Sequence, residues 1–330
     1  MTVHENRDPA GAEVSAGDVQ ARLMLVGLCL IWGFTWPAMK IALNEIPPLS
    51  MRASTAGIGT LTMLAICIAG RRSLRMSFGK NWLHVIAASL LNVVAFSLLS
   101  AFAQMQTATS RVAILTYTMP IWAVFLAWAV LGERPTRVQG VALGLCVIGL
   151  TVLISPLART GIPIGVLLAL ASGVSWAAGT VYLKWAYVSA DPMGFAFWQI
   201  AAAFFLIGGA ALIFNGGFKL GAAHTGALHS VAFSGVAGNA LAYALWFAIV
   251  RRVSAVTASL GTLTIPMIGV IATVLIIGER PSATDVIGFA LIFAASACVV
   301  FSPLARAKLT SRRRAPLDAR DARPSRLRDR

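Results

Sequence analysis

The sequence predicts an all-α integral membrane protein whose ten transmembrane helices form two inverted five-helix repeats. Three observations carry that expectation. Hydrophobic residues make up 58% of the 330 positions and charged residues only 12%, and the apolar residues come in runs of about twenty, enough to cross the bilayer core as helix. One long stretch is written twice. TYTMPIWAVFLAWAVLGERP at 116–135 returns as TLTIPMIGVIATVLIIGERP at 262–281, and every landmark keeps a separation of 146 residues (266 − 120, 278 − 132, 281 − 135), as expected of one unit duplicated and fused. Five spans per unit is an odd number. The second copy therefore runs through the membrane in the opposite sense to the first, about a pseudo-two-fold axis in the membrane plane.

Taken in order, residues 1–21 are polar and of mixed charge (Glu5, Arg7, Asp8, Glu13, Asp18) and read as a solvated leader. No cleaved signal peptide is expected, because the first apolar run is longer than a signal core and continues into a polytopic pattern. The first repeat, 22–155, contains spans at 23–43, 49–70, 82–102, 112–131 and 138–154. The second repeat, 156–303, contains spans at 162–186, 193–214, 227–250, 255–277 and 286–301. Residues 304–330 form a tail with ten basic and three acidic residues.

The repeated ending is a helix stop followed by a helix start. Gly132 and Gly278 suit the left-handed residue after a helix, and Pro135 and Pro281 suit the first turn of the next. Glu133 lies near an N-terminus and Arg134 near a C-terminus, so each charge matches the local dipole. Each copy is a helical hairpin at a membrane surface.

Lysine and arginine in the short connections set the orientation. With the N-terminus inside, Arg71, Arg72, Arg75, Lys80, Arg134, Arg137, Arg251, Arg252 and the tail are cytoplasmic. The other side holds Arg52, Arg111, Arg159, Lys219 and Arg280. Both termini are expected in the cytoplasm. The net charge of +15 does not point to nucleic acid, since no folded basic module or interleaved aromatic accompanies the tail. Contact with anionic lipid headgroups is the expected role.

Several residue classes exclude other chemistry. Cys29, Cys67, Cys146 and Cys298 fall inside apolar runs without metal-ligand spacing, and His4, His84, His224 and His229 form no HExxH set. No P-loop is present. We expect no metal, no cofactor and no catalytic residue, with a membrane-embedded enzyme as the rival class. All twelve acids lie outside the middle of the spans, so no carboxylate proton relay is apparent.

A carrier needs polar groups at membrane depth that replace lost hydration. Pro120 and Pro266 obstruct the carbonyls of Thr116 and Thr262 and mark helix kinks. These carbonyls, with the hydroxyls of Thr116, Thr118, Thr262 and Thr264, either face a cavity or bond back to their own helices. Asn92 and Asn239 should face the bundle interior, to bind solute or tie helices together. Trp32, Trp36, Trp176, Tyr243 and Trp246 offer an aromatic wall, or interfacial anchors. Lys40, three residues from the expected outer end of its span, either snorkels, pairs with Glu45, or attracts a carboxylate together with Arg52 and Arg111. Lys184 is expected to anchor at the cytoplasmic surface.

Further landmarks repeat. Trp32, Trp36 and Lys40 are matched by Trp176, Thr180 and Lys184 at an offset of 144 (176 − 32, 184 − 40), and Asn92 with Phe96 by Asn239 with Tyr243 at 147 (239 − 92, 243 − 96). With the WGFTWPAMK start of the first span, Arg52 near the start of the second, and the paired Pro-to-GERP segments, the chain resembles the EamA-like ten-helix permeases of the drug/metabolite transporter superfamily over residues 22–303. The resemblance implies a multi-pass carrier of the bacterial inner membrane. Its small-molecule substrate would be a metabolite, commonly an amino acid or related amphiphile that is exported, held in a central cavity walled by both halves. A multidrug or nucleobase-type carrier of the same fold is the alternative. The chain departs from symmetry at Pro37, matched by Val181, and at Arg52, matched by Gln199. Membrane lipids are the expected partners, and a homo-oligomer is compatible with the sequence.

Overall fold

The computed structural model describes residues 16–76, 80–157, 162–186, 190–221, 223–250 and 264–298. Ten helices are described. In the first repeat they are α1 (Ala16–Leu43), α2 (Pro48–Ala69), α3 (Asn81–Gln106), α4 (Thr109–Leu131) and α5 (Arg137–Ile154). In the second they are α6 (Ile164–Ala186), α7 (Pro192–Asn215), α8 (225–250), α9 (Thr264–Ile277) and α10 (Ala283–Cys298). The first part of the expected ninth span, with Thr262, lies outside the described residues, as does the end of the tenth.

Local chemistry sets most of the helix ends. Pro48 and Pro192 occupy first-turn positions, and the Asp191 carboxylate accepts from the amides of Met193 (2.9 Å) and Gly194 (3.1 Å). Gly132 (φ 70°) and Gly278 (φ 76°) take the left-handed conformation that the repeated motif predicts. Directly after each GERP comes a reciprocal cap. Thr136 and Gln139 exchange bonds at the start of α5 (3.2 and 2.7 Å), and Ser282 and Asp285 do the same at α10 (3.2 and 3.0 Å). The second cap starts α10 at 283, three residues before the expected 286, and brings Asp285 into its first turn.

Each GERP turn can be located against α4, whose 23 residues span about 34 Å. The first turn follows its C-terminus. The second sits on its N-terminus, where the Glu279 carboxylate accepts from the backbone of Thr109 (2.6 Å) and Ser110 (2.9 Å). The copies therefore lie at opposite ends of one membrane-crossing helix, and the repeats are inverted.

The halves do not pack side by side. α1 packs on α8 and α9, α6 on α3 and α4, α2 on α7 and α8, α7 on α2 and α3, and α4 on α9. Gly149 of α5 and Gly288 of α10 face each other's helices, where an added Cβ would lie about 3.0 Å from Leu291 and from Leu153. Exchanging each helix for its counterpart in the other repeat maps these pairings onto themselves, the signature of an isologous two-fold interface. Two swapped units result: α1 with α8 and α9, and α6 with α3 and α4.

At the face away from Arg71, Arg72 and Arg75, the α1–α2 turn meets the entry to α8. The His224 backbone amide (2.6 Å) and its Nδ1 (3.0 Å) both approach the Glu45 carboxylate. The amide bond, then the ring, holds the Glu45 carboxyl below its ordinary value. A depressed carboxyl favours the docked state above the ordinary carboxylate range, and the benefit is lost as pH falls through the lowered value. Protection of the His224 amide, measured as its exchange rate relative to the intrinsic rate at each pH, is expected to fall on acidification through that range in the parent and to stay flat in Glu45→Gln; equal protection profiles for the two proteins would contradict the contact.

Candidate functional site

The two crossings between α3 and α6 and between α8 and α1 share one irregularity. Both α3 and α8 widen into π-helix, at Leu90–Ala95 and at Ser234–Leu241, and these segments hold Asn92 and Asn239. A π segment shifts carbonyls off the helical ladder, a liability in hydrocarbon unless the protein supplies donors. It does so from the opposing repeat each time: Ser175 Oγ of α6 donates to the Leu91 carbonyl (2.7 Å), and Trp32 Nε1 of α1 donates to the Gly238 carbonyl (3.2 Å).

The aromatic residues follow the same symmetry. Trp176 meets Phe96 edge-on with ring centres 4.8 Å apart, and Trp32 meets Tyr243 edge-on at 6.0 Å, with Trp246 at 6.4 Å. Sequence counterparts thus pair across the repeats at both crossings. Asn92 is buried against Gly179 of α6, its Oδ1 without a partner among the described residues. Asn239 is half-buried and donates from Nδ2 to the Thr55 carbonyl of α2 (3.2 Å). Both face the interior. Gly59 permits the second contact, since a Cβ there would lie 2.7 Å from the Asn239 Cβ.

The remaining candidates are placed apart from these crossings. Trp36 is buried in the α1–α9 seam, where a Cβ on Gly269 would come within 2.9 Å of its ring. α4 breaks between Thr116 and Met119, beside Pro120, and packs there on α6: a Cβ on Gly173 would sit 2.8 Å from the Thr116 carbonyl. Polar groups freed at the break find protein partners. The Tyr117 carbonyl accepts from Ser296 Oγ (3.1 Å), Thr116 Oγ1 lies 2.9 Å from Ser172 Oγ, and Thr118 Oγ1 donates to the Leu115 carbonyl (2.7 Å) while accepting from Trp122 Nε1 (2.9 Å). Thr116 thus ties α4 to α6, whereas Thr118 bonds back within its own helix. Pro266 is buried at the start of the described part of α9, and Thr264 bonds Cys29.

Lys40 neither pairs with Glu45 nor extends free to the surface; its Nζ donates to the Gln104 carbonyl at the end of α3 (2.8 Å). Lys184 is exposed and pairs with Glu133 of the first GERP turn. Sequence reasoning missed Ser175, which supplies one of the two bulge donors, and the bond between His84 Nδ1 and Tyr182 OH (2.7 Å) across α3 and α6. The two-fold relation points only to this part of α6, because the counterpart of Trp32 is Trp176 and the donor is its neighbour Ser175. Trp32→Phe and Ser175→Ala should each lower stability by about 1 kcal/mol in thermal unfolding of the purified protein, additively in the double variant. An unchanged transition in both would show that the bulged carbonyls do not depend on these donors.

Comparison with known proteins agrees with this architecture. The profile of the EamA-like transporter family matches residues 20–155 and again 163–301. The chain is 28% identical over 283 residues to the "Uncharacterized transporter YvbV" of Bacillus subtilis (strain 168), covering 84% of this chain and 90% of that one. It is 24% identical over 286 residues to "Uncharacterized transporter YoaV" of the same organism, covering 83% and 94%. A solved crystal structure superposes with a TM-score of 0.61 at 22% identity, over 87% of this chain and 98% of that one, a likeness of fold. With both repeats matched and the two-fold packing in place, this chain is a multi-pass membrane protein of the EamA-like transporter family.

Proposed function

We propose that the protein is a secondary transporter that exports small amphiphilic metabolites, amino acids foremost, across a bacterial inner membrane by alternating access. The observation that carries this reading is the two-fold exchange of packing partners. Two three-helix units related by the two-fold exchange, α1–α8–α9 and α6–α3–α4, are flanked by α2 and α7 and touch directly where α4 packs on α9. Related units can pack in two related ways, one open to each side of the membrane.

The paired π segments are the natural pivots, because an irregular turn absorbs a change of helix direction more readily than a regular one. Asn92 and Asn239, with Trp32, Tyr243, Phe96 and Trp176 beside them, would contact the solute as the crossings rearrange. In this reading the face that carries Arg71, Arg72, Arg75, Arg134 and Arg137 is the cytoplasmic one by the positive-inside rule, and both termini are assigned to that side. Glu45, Glu133, Asp191, Glu279 and Asp285 all lie in turns or first helical turns. Solute exchange down a gradient therefore needs no carboxylate relay.

Counterflow in proteoliposomes tests the assignment. Vesicles loaded with unlabelled amino acids should transiently accumulate the labelled compounds in chemically unchanged form. Asn92→Ala and Asn239→Ala should each slow this about tenfold, a loss of about 1.4 kcal/mol, while the variants still reach the membrane. A converted product would contradict the carrier assignment, and unchanged rates in both variants would contradict the site.

A further inference from the structure

Near the ends of α1, α2 and α3, away from the arginine-rich face, two cations converge on one turn of α3. Arg52, the fifth residue of α2, donates from Nη2 to Ser100 Oγ (3.0 Å) and also contacts Met39 Sδ. Lys40, next to Met39 on α1, reaches the Gln104 carbonyl. Ser100 and Gln104 are four residues apart and so share a face of α3. The ion pairs among the described residues are Arg72–Asp191, Arg111–Asp285, Lys184–Glu133 and His224–Glu45. Neither Lys40 nor Arg52 takes part in any of them.

The polar groups around these cations are also unsatisfied. Gln104 is 0% exposed, yet its Nε2 and Oε1 both lack partners, and so does Arg52 Nε. Two neighbouring positive charges, both half-buried, with Arg52 Nε unpartnered and no counter-charge among the described residues, are costly to hold at the end of a span. The scaffold itself does not demand the arginine, because the two-fold counterpart of Arg52 is Gln199.

We propose that Arg52, Lys40 and Gln104 bind the carboxylate of the transported solute at the junction of the two three-helix units. This rests on the carrier reading above. A carboxylate accepts at both oxygens, matching the guanidinium fork, the ammonium and the amide Nε2. Gln104 Oε1 remains as an acceptor for an ammonium or hydroxyl beside that carboxylate, as an amino or hydroxy acid would provide. Lys40 belongs to one unit and Gln104 to the other, so a carboxylate that takes over the ammonium releases a contact between units.

The test is thermal unfolding of the full-length protein in detergent, with sodium acetate or benzoate against equimolar sodium chloride, and with acetamide and benzamide as neutral counterparts. At least one carboxylate should raise the unfolding temperature while the amides do not. Arg52→Gln and Gln104→Leu should abolish the response, and Gln104→Leu should unfold no lower than the parent in the absence of carboxylate, since it removes an unpartnered amide. If Arg52→Gln does not fold, Gln104→Leu decides. Equal responses to acid and amide, no response to either acid, or a response retained in Gln104→Leu would overturn the site. A carboxylate response without counterflow would instead count against the carrier reading, and counterflow blind to the carboxylate would count against the site alone.

Discussion

Inside a bilayer core, a carbonyl displaced from its helical ladder has no water to turn to and must find a donor within the protein. The structure is organised around this demand at two places, Leu91 in α3 and Gly238 in α8, where π-helical segments interrupt otherwise regular spans. In each case the donor comes from the opposing repeat, Ser175 Oγ for one and Trp32 Nε1 for the other. The crossings are thus sites where neither repeat is complete alone. The two acceptors are sequence counterparts (238 − 91 = 147), while the donors differ in chemistry and sit one residue out of register (175 − 32 = 143 against the helix offset of 144).

That dependence explains why a sequence with two halves does not fold as two bodies. The principal helix pairings run between repeats, so the cores are mixed from the outset. Close approach is built from glycine where it is needed: Gly173 against the broken turn of α4, Gly59 against Asn239, and Gly149 facing Gly288 between α5 and α10. The break at Thr116–Met119 is handled by the same logic, with Ser172 and Ser296 supplying partners for α4. Among the matched polar landmarks, Arg52 opposite Gln199 breaks the symmetry with a charge in one half only.

Much of the fold was legible because its signals are local. The left-handed Gly132 and Gly278, the helix starts at proline and the duplicated landmarks all follow from neighbouring residues and a constant offset. The inward placement of Asn92 and Asn239 followed from the cost of an amide in lipid. Other features were not legible, for physical reasons. A π segment such as LLNVVA or SGVAGNAL has no distinctive composition, and it exists because the opposing helix stabilises its displaced carbonyl. The early start of α10 depends on a Ser282–Asp285 cap that hydropathy does not register. The fates of Lys40 and Glu45 depended on which helix ends meet in space, and each found a nearer partner in Gln104 or His224.

The claim on which the account rests is that two antiparallel copies of one unit enclose the transport path. The most direct measurement is sidedness labelling in intact cells with a membrane-impermeant thiol reagent, in a background lacking Cys29, Cys67, Cys146 and Cys298, with single cysteines placed at Arg134 and at Arg280. The account predicts that the cysteine at 280 reacts from outside and the one at 134 reacts only after the membrane is breached. Reaction of both from the same side would contradict it.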